Sequence, residues 1–321
     1  MNASNELRLQ ARIAHRARLA DDIIGLTLAS ADGEPLPPAE PGAHIDLHLP
    51  NGLIRQYSIA RQTDAGYELG ILRDPASRGG SACVHDDLHE GDTLEISLPR
   101  NLFPLATDAQ RSLLFAGGIG ITPIIAMAEA LHASGADFEL HYCSRTRHRA
   151  AYLDRLATAP WADRVHVYHD DLPEAGKLDT AALLATPETG THLYVCGPNG
   201  FMDHVIDTAR AAGWAEANVH SERFSAPAID TSDDGSFEMV INSTGQSIRV
   251  GAEQTAIVAL HAAGFDVPLS CEQGICGTCL TRVLDGEPDH RDMFLTDAEH
   301  QANNQFTPCC SRGKGKLLLD L

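Results

Sequence analysis

The feature that most constrains this chain is a group of cysteines near its carboxyl end. Three of them form the pattern Cys271-x4-Cys276-x2-Cys279, and the adjacent pair Cys309 and Cys310 follows. This is the plant-type spacing for a [2Fe–2S] cluster, in which each iron needs two thiolates besides the two bridging sulfides. The stretch is therefore expected to close around a compact inorganic centre held by four thiolates. Spacing alone does not choose between Cys309 and Cys310 as the fourth.

The alternative to an iron–sulfur cluster is a structural zinc site. Zinc motifs usually combine one Cys-x2-Cys with a second one or with histidines, and the four-residue gap here fits that pattern poorly. Gly274 and Gly277 lie between the cysteines, where they let the backbone approach the sulfides and donate amide hydrogen bonds that tune the potential. The spacing favours the iron–sulfur cluster.

The charge of the chain excludes several classes of partner. Its 321 residues include 24 Lys and Arg against 44 Asp and Glu, a formal net charge of −20. Proteins that bind nucleic acid carry basic patches, so we expect neither a nucleic acid nor an anionic membrane as partner. No apolar run reaches the ~18 residues of a membrane span, and the amino terminus lacks the apolar stretch of a signal peptide. We therefore expect a cytoplasmic protein, in which disulfides are rare.

Three segments of different texture follow one another along the chain. Residues 1–107 alternate apolar and polar residues in short runs separated by Gly, Pro and Asp, which predicts a β-barrel or sandwich. Residues 108–226 alternate strands with helices, which predicts a parallel sheet with crossover helices. A polar, proline-containing stretch at 227–236 is interpreted as a linker. Residues 237–321, which hold the cysteine group, form the third domain.

Hydrophobic periodicity predicts individual elements within these segments. Predicted strands lie at 23–28, 44–49, 67–72, 93–98, 112–116, 138–143, 165–169, 193–196, 237–242 and 247–250. Predicted helices lie at 82–88, 124–134, 149–157, 202–212 and 255–263. The pattern contains no internal repeat and nothing typical of a coiled coil, so we expect a monomer.

Two glycine-rich turns follow apolar strands of the middle segment. The first, Gly117-Gly118-Ile-Gly120-Ile-Thr122-Pro123, opens a helix, and a helix amino terminus after such a turn presents free amides to a pyrophosphate. Pro123 stands where G-x-G-x-x-G has its third glycine, so this turn alone is weak support. The second turn, Cys196-Gly197-Pro198, follows another apolar strand. Two such turns at the carboxyl edge of one sheet favour a bound dinucleotide.

The barrel segment carries residue types that suit a flavin. Arg55, Tyr57 and Ser58 share one predicted strand. A flavin needs an aromatic or apolar wall, a hydrogen-bond donor near its reactive nitrogen, and cations or amides at its phosphate. The stretch at 77–81, Ser-Arg-Gly-Gly-Ser, precedes a predicted helix and is a second candidate phosphate cradle. Taken alone, the strand resembles many surface strands, and the stretch is more typical of a plain loop.

In this order, the features resemble the phthalate dioxygenase reductase and vanillate demethylase reductase group. The resemblance spans nearly the whole chain and is carried by Arg-x-Tyr-Ser at 55–58, Gly-Gly-Ser at 79–81, the two glycine turns, and the cysteine loop with Cys-Cys-Ser-Arg at 309–312. It implies a multidomain fold: an antiparallel β-barrel that binds FMN, an α/β pyridine-nucleotide domain with a parallel sheet, and a ferredoxin-like α+β domain of β-grasp type.

The resemblance also implies a role for each matching residue. The residues implied to bind FMN are Arg55, Gly79, Gly80 and Ser81 at the phosphate, Tyr57 on the isoalloxazine ring, Ser58 near N5, and Phe224 over the flavin face. Those implied to contact the nicotinamide nucleotide are Gly118, Gly120, Thr122 and Cys196, with Gly197 and Pro198 of the same turn. The implied cluster ligands are Cys271, Cys276, Cys279 and, from the Cys-Ser-Arg run, Cys309. For Phe224, ordinary packing remains the alternative.

The resemblance implies an NADH-dependent iron–sulfur flavoprotein oxidoreductase. NADH delivers two electrons as hydride, whereas the cluster accepts one, and a flavin converts the pair into single steps; the protein aligns the cofactors. No general base is expected. The chain lacks the paired C-x-H and C-x-x-H of a Rieske centre, so we expect the final acceptor elsewhere. The resemblance implies that this partner is a Rieske-type oxygenase or O-demethylase. NADPH stays open, because Arg145 and Arg147 follow a strand where a 2′-phosphate could bind.

Three other functions fit the same sequence. The chain could reduce another acceptor, such as a haem protein or a soluble ferredoxin. It could be a redox-sensing protein whose cluster is a signal and whose turnover is negligible. It could also be a flavoprotein with a vestigial cluster.

Overall fold

The structure is a computed structural model that describes residues 8–173, 176–227 and 229–321. The chain forms two units: the first ends at Arg223 and the second begins at Phe224. The first unit contains both the barrel and the parallel sheet. The predicted fold class is confirmed in each segment. No described helix is long and apolar enough to cross a membrane.

The barrel is built from six antiparallel strands that close on themselves. They are β1 (Arg8–Ala20), β2 (Ile23–Ser30), β3 (His44–His48), β4 (Ile54–Thr63), β5 (Gly66–Leu72) and β6 (Thr93–Ser97). Their order is β1-β2-β5-β4-β3-β6, and β6 pairs back onto β1. The helix α1 (Gly80–Asp87) connects β5 to β6. Closure leaves no unpaired sheet edge, and the alternate apolar residues fill the interior.

The apolar pattern does not predict strand β1, because few of its residues are large and apolar. Ala11 and Ile13 are fully buried, but arginine and histidine occupy many of the other positions. Burial on only one face of an antiparallel strand is sufficient when the barrel covers that face. The charged residues therefore lie on the solvent side of a regular strand.

The second half of this unit is a five-stranded parallel sheet with crossover helices. Its strands are β7 (Arg111–Gly117), β8 (Asp137–Ser144), β9 (Val165–His169), β10 (Thr191–Cys196) and β11 (Val219–Glu222). Its helices are α2 (Ile121–Ser134), α3 (Leu153–Thr158), α4 (Thr180–Leu184) and α5 (Asn199–Ala211). The strand order is β11-β10-β7-β8-β9, so the direction of winding reverses between β7 and β10. Ligands bind at such a switch point, outside the carboxyl ends of the strands.

The predicted helix at 149–157 is wrong at its beginning. Tyr152 adopts a left-handed conformation with φ 63, and α3 begins only at Leu153. The preceding residues Arg147–Arg149 form one separate 3₁₀ turn. A residue in the left-handed region cannot continue a right-handed helix, so the apparent periodicity joins two short pieces into one.

The second unit is a mixed sheet with helices packed beside it. Its strands are β12 (Phe237–Ile241), β13 (Ser247–Val250), β14 (Thr281–Asp285), β15 (Pro288–Asp289), β16 (Gln305–Phe306), β17 (Arg312–Gly313) and β18 (Lys316–Leu319). Its helices are α6 (Ala256–Ala262) and α7 (Asp297–Ala302). The main sheet has the order β13-β12-β18-β14-β16, with β12 and β18 parallel. Cys279 and Cys309 belong to its core cluster, so the cysteine loop is anchored to the sheet.

Candidate functional site

A candidate phosphate cradle forms where β4 meets the beginning of α1. Gly79 caps the helix in the left-handed conformation with φ 90. A Cβ atom on Gly80 would lie 2.6 Å from Cγ and 2.8 Å from Nε of Arg55. The Arg55 side chain therefore lies directly against the first turn of the helix. A guanidinium group and a helix amino terminus are two groups that bind phosphate.

The loop before α1 is held by hydroxyl groups. Ser81 Oγ donates to Ser77 Oγ at 3.1 Å and accepts from the backbone N–H of Asp74 at 3.1 Å. Asn51 Nδ2 donates to the carbonyl of Gly79 at 3.1 Å. These bonds fix the backbone of the stretch that the sequence suggested as a cradle. The structure thus brings Arg55, Gly79, Gly80 and Ser81 together.

Tyr57 lies on the same strand and packs against the apolar core of the barrel. Burial is the main cause that raises the pKa of its hydroxyl above the ordinary value, so the phenol stays neutral. A half-buried, uncharged ring at the rim of a barrel is the kind of wall on which a planar heterocycle packs.

A buried polar contact links β4 to the last strand of the parallel sheet. Ser58 Oγ donates to Oε2 of Glu222 at 3.4 Å, and Nδ1 of His44 lies 3.8 Å from the other carboxylate oxygen. Gln56 Nε2 lies 3.4 Å from Nε2 of the same histidine. Cys196 is the neighbour of Glu222 across the parallel pair β10 and β11. Hydroxyl, carboxyl, imidazole and thiol groups therefore meet at one place.

Burial determines the charge of this polar contact. It raises the pKa of Glu222 to about 8, with the hydrogen bond from Ser58 opposing the shift. It also lowers the pKa of His44 to about 4, and the charge of Arg100 acts in the same direction. The pKa of Cys196, which is fully buried, is raised well above its usual value. At neutral pH the contact is therefore uncharged, with a protonated carboxyl group and a neutral imidazole.

Sequence reasoning missed Glu222 and His44. Glu222 belongs to the Ser-Glu-Arg-Phe run from which only Phe224 was selected. A glutamate at the end of a short strand is usually exposed, and nothing local indicates its burial. The available signal was its place after the last strand of a predicted parallel sheet, where the carboxyl ends of strands collect ligand-binding groups.

The two glycine turns meet at the switch point between β7 and β10. A Cβ atom on Gly120 would lie 2.2 Å from the carbonyl oxygen of Cys196 and 2.6 Å from the backbone nitrogen of Gly197. A Cβ atom on Gly197 would lie 2.9 Å from Cα of Gly117. Backbone therefore packs on backbone, which only glycine permits. Gly118 has φ +53 and no atom within 4 Å of an ideal Cβ, so it faces open space.

The other predicted nucleotide contacts lie in the same two turns. Thr122 is buried in the first turn of α2, where its hydroxyl donates to the carbonyl of Ile119 at 3.0 Å. Pro198 packs near Gly117, because a Cβ atom on Gly117 would lie 2.9 Å from Cδ of Pro198. The structure brings all predicted residues of both turns to one edge of the sheet.

The candidate 2′-phosphate residues lie further along that edge. Arg145 and Arg147 are both exposed. The neighbouring Ser144 is buried and shares a hydrogen bond with Nδ1 of His169 at 2.8 Å. The choice between NADH and NADPH at these arginines stays a prediction.

The thiol groups of the carboxyl-terminal loop form one buried cluster. Cys271 is hydrogen-bonded to Cys276 and to Cys309, and Cys309 is hydrogen-bonded to Cys279. All four side chains are buried. Backbone N–H groups point at the same sulfurs, with Gln273 N 3.4 Å from Cys271 Sγ and Thr278 N 3.5 Å from Cys276 Sγ. Four converging thiols with amide donors fit a [2Fe–2S] cluster, which needs both.

Cys310 occupies a different position from Cys309. It is only partly buried, and its sulfur lies 3.3 Å from Oγ1 of Thr307. It also packs beneath the loop, because a Cβ atom on Gly274 would lie 2.4 Å from its sulfur. The one cysteine with which Cys310 shares a hydrogen bond here is Cys309. The geometry therefore groups Cys309, and not Cys310, with the three cysteines of the loop.

Phe224 and the linker belong to the second unit. Phe224 is its first residue and is 37% exposed. The prediction that it shields a flavin stays a prediction. Further along the linker, Asp234 accepts from Nη1 of Arg291 at 2.9 Å and pairs with Nε of Arg312 at 3.6 Å. The carboxyl end of the linker is thereby fixed to the ferredoxin-like fold.

Comparison with known proteins gives consistent matches over the whole chain. Residues 239–314 match the family described as the 2Fe-2S iron-sulfur cluster binding domain. Residues 97–219 match the family described as the dimethylamine monooxygenase subunit DmmA-like, N-terminal domain.

Full-length relatives are also found. The vanillate O-demethylase oxidoreductase of Pseudomonas sp. (strain HR199 / DSM 7063) is 59% identical over 306 residues, which cover 94% of this chain and 96% of the relative. The phthalate dioxygenase reductase of Burkholderia cepacia is 38% identical over 317 residues, which cover 98% and 97%. A solved structure of phthalate dioxygenase reductase, described as a modular structure for electron transfer from pyridine nucleotides to [2Fe-2S], superposes with a TM-score of 0.77 at 37% identity over 98% of both chains.

Proposed function

The chain belongs to the vanillate O-demethylase oxidoreductase and phthalate dioxygenase reductase family, and from this premise we propose that it is the NADH-dependent reductase of a Rieske-type aromatic O-demethylase whose substrate is vanillate. It is an oxidoreductase of an oxygenase system, with electron transfer from a pyridine nucleotide to a 2Fe-2S centre. The observation that carries the proposal is the presence in one chain of a glycine-lined nucleotide edge and a loop of four converging thiols.

FMN is the flavin proposed for the barrel. Arg55 and the amides of Gly80 and Ser81 would hold its phosphate, and Tyr57 would pack on its ring system. The close contact between the Arg55 side chain and Gly80 supports this placement, since it sets a guanidinium group against the amino terminus of a helix. FMN has a terminal phosphate that this single cradle satisfies.

The nicotinamide nucleotide is assigned to the switch point of the parallel sheet. Gly118, Gly120 and Thr122 would lie along it, and the turn at 196–198 would lie near its nicotinamide end. Gly118 supports this assignment, because no atom beyond its chain neighbours lies within 4 Å of an ideal Cβ there. The proposed ligands of the cluster are Cys271, Cys276, Cys279 and Cys309, supported by their mutual hydrogen bonds.

The bound flavin would supply the conversion of a hydride pair into single electrons, and the cluster a one-electron relay. The residues of the chain would orient and protect this exchange. Ser58 presents its hydroxyl between the barrel and the parallel sheet, and Glu222 holds a proton on its carboxyl group at neutral pH. Glu222 and Cys196 would therefore place no negative charge at this contact. A buried negative charge would attract water and would oppose the delivery of a hydride.

We propose that the electron acceptor lies on another protein. The chain lacks the paired C-x-H and C-x-x-H motifs of a Rieske centre. The relatives act in oxygenase systems, so the oxygen chemistry belongs to the partner. Demethylation of a methoxyarene consumes one O2, one NADH and one proton, and it yields the phenol, formaldehyde, water and NAD+. The reductase would supply both electrons of this balance.

A reconstituted assay tests the proposal. The purified reductase is mixed with the oxygenase component of a vanillate O-demethylase, vanillate and NADH, and formaldehyde is measured against NADH consumed. We expect one formaldehyde per NADH and little consumption without vanillate. Rapid cytochrome c reduction without formaldehyde would point to another acceptor, such as a haem protein. Negligible NADH turnover with every acceptor would point to a redox sensor.

A further inference from the structure

Among the described residues, one group of metal-ligating side chains lies outside the cysteine loop. It consists of His290, Asp292 and His300, whose ligand atoms all lie within 4.8 Å of one another. His290 and Asp292 belong to the segment between β15 and α7, and His300 belongs to α7. The proposed electron transfer uses none of them.

The carboxylate at the centre of this group is buried without a permanent cation. The side chain of Asp292 is 0% exposed. It accepts from the backbone N–H of Leu295 at 2.8 Å and from Oγ of Ser311 at 3.4 Å. In the described part of the chain, its charged partners are the two histidines, and histidine is not a permanent cation. Buried charges are normally paired or bound to a metal.

Arg291, which precedes Asp292 in the chain, pairs with other carboxylates. Arg291 donates to Asp234 at 2.9 Å and to Asp289 at 2.9 Å, so its guanidinium group faces the linker and β15. The negative charge of Asp292 also acts on the thiol of Cys310 beneath the cysteine loop. The positive charge of Arg291 is thus paired with Asp234 and Asp289, and the ion pairs of Asp292 in the described part of the chain are with the two histidines.

The ring of His290 presents a lone pair to this carboxylate. Its Nε2 lies 3.3 Å from Oδ1 of Asn303, an acceptor, so Nε2 carries the proton in the neutral ring. Its Nδ1 is buried, makes no hydrogen bond and lies 3.7 Å from Oδ1 of Asp292. The side chain is 9% exposed, so water does not readily satisfy this atom. Two electron pairs that face each other in a buried site repel one another, and a cation bound between them would remove this repulsion.

His300 approaches the same carboxylate from α7. Its Nε2 lies 3.3 Å from Oδ2 of Asp292, and its ring stacks on that of His290 with centroids 4.4 Å apart. The position of α7 is fixed by a capping box between Thr296 and Glu299. Ligands at metal distances of about 2.0–2.2 Å stand about 3.0–3.5 Å apart around the ion. The observed separations of 3.3 and 3.7 Å are close to this range.

We propose that His290, Asp292 and His300 bind one divalent transition-metal ion of the zinc class, with water completing the coordination. Two imidazoles and one carboxylate form a set that zinc prefers, whereas magnesium and calcium prefer oxygen ligands alone. The ion would neutralise the buried carboxylate and join α7 to the segment at 288–295. Met293 of that segment donates to the carbonyl of Gly274 at 3.0 Å, so the site would brace the cysteine loop from outside.

The test uses the full-length holoprotein with flavin and cluster bound. The protein is dialysed against a mild chelator and titrated with Zn2+ while zinc, iron and the visible spectrum are followed. We expect about one zinc per chain, with iron unchanged, and a higher melting temperature of the holoprotein with zinc. Absence of zinc binding, or binding only with loss of iron from the cluster, would overturn the proposal.

Two variants localise the ion. His290→Gln and His300→Gln should each weaken zinc binding by about tenfold or more while the cluster spectrum stays the same. His261→Gln is the matched control, since its Nε2 bonds to the carbonyl of Val267 at 2.8 Å, outside the group. Equal zinc affinity in all three variants and the wild type would place the ion elsewhere and refute this site. Zinc binding needs no electron acceptor, so failure of the O-demethylase assay would leave this result unaffected.

Discussion

Ser58 Oγ donates a hydrogen bond to Glu222 Oε2 across 3.4 Å, although the two residues are 164 positions apart in sequence. One residue lies on the barrel strand β4 and the other at the end of β11 in the parallel sheet. This bond joins the proposed flavin site to the proposed nucleotide site within one unit. Because Ser58 is buried and the side chain of Glu222 is only 13% exposed, the protonation of Glu222 affects stability as well as chemistry.

We expect Glu222→Gln to flatten the dependence of stability on pH between about 4.5 and 8. Burial raises the pKa of Glu222 to about 8 from 4.5, so the folded protein binds this proton more tightly than the unfolded chain does. The resulting stabilisation is complete below about pH 4.5 and is lost as the pH rises through about 8. The shift corresponds to a few kcal/mol, at about 1.4 kcal/mol per unit.

The measurement is the melting temperature of wild type and variant between about pH 5 and pH 9. The wild type should lose more stability than the variant over this range. Burial lowers the pKa of His44 from 6.5 to about 4, so His44 makes both proteins more stable as the pH rises towards 6.5, and the comparison of wild type with variant cancels this contribution. Parallel curves for the two proteins would show that Glu222 is ionised in the folded state.

Arg55→Ala should weaken FMN binding. The side chain lies against the first turn of α1, and a hydrogen bond to a charged group contributes about 1.5–3 kcal/mol, which is at least a tenfold loss of affinity. The check is titration of the deflavinated protein with FMN, followed by quenching of flavin fluorescence. Arg18→Ala is the control, because that side chain is 74% exposed and pairs with Asp21 at the surface. Equal FMN affinity of the two variants would show that the phosphate does not bind at Arg55.

Gly120→Ala should impair use of NADH with little effect on FMN binding. The added Cβ would meet the carbonyl oxygen of Cys196 at 2.2 Å, and backbone atoms cannot move aside as a flexible side chain can. Displacement of the turn should lower kcat/KM for NADH by about tenfold or more. Gly200→Ala is the control, because no atom lies within 4 Å of its Cβ. Unchanged kcat/KM in Gly120→Ala would show that the nucleotide does not depend on this packing.

Cys309→Ser and Cys310→Ser should differ in cluster content. Cys309 is hydrogen-bonded to Cys271 and Cys279, whereas the Cys310 sulfur contacts Thr307. We expect Cys309→Ser to lose most of its iron and its red-brown absorption, and Cys310→Ser to keep both. NADH-dependent flavin reduction should persist in both variants, which shows that the first unit is folded. The reverse pattern of iron contents would identify Cys310 as the ligand.

The sequence alone determined the features that depend on near neighbours. The cysteine spacing at 271–279 indicated the cluster, because a tight loop brings together residues a few positions apart. The turns at 117–123 and 196–198 indicated the nucleotide edge, because a strand, a glycine turn and a helix are local in sequence. The alternation of apolar residues predicted most strands of the barrel and of the parallel sheet. It did not predict β1, because few of its residues are apolar and many are arginines.

Only the tertiary structure decided the groups that distant segments create. The burial of Glu222 beside His44 requires the barrel and the parallel sheet to close on each other, and no local pattern records that closure. The separation of Cys309 from Cys310 depends on how the carboxyl-terminal segment packs beneath Gly274. Charge and burial in a folded protein are set by contacts across the whole chain, whereas sequence patterns report on the next few residues.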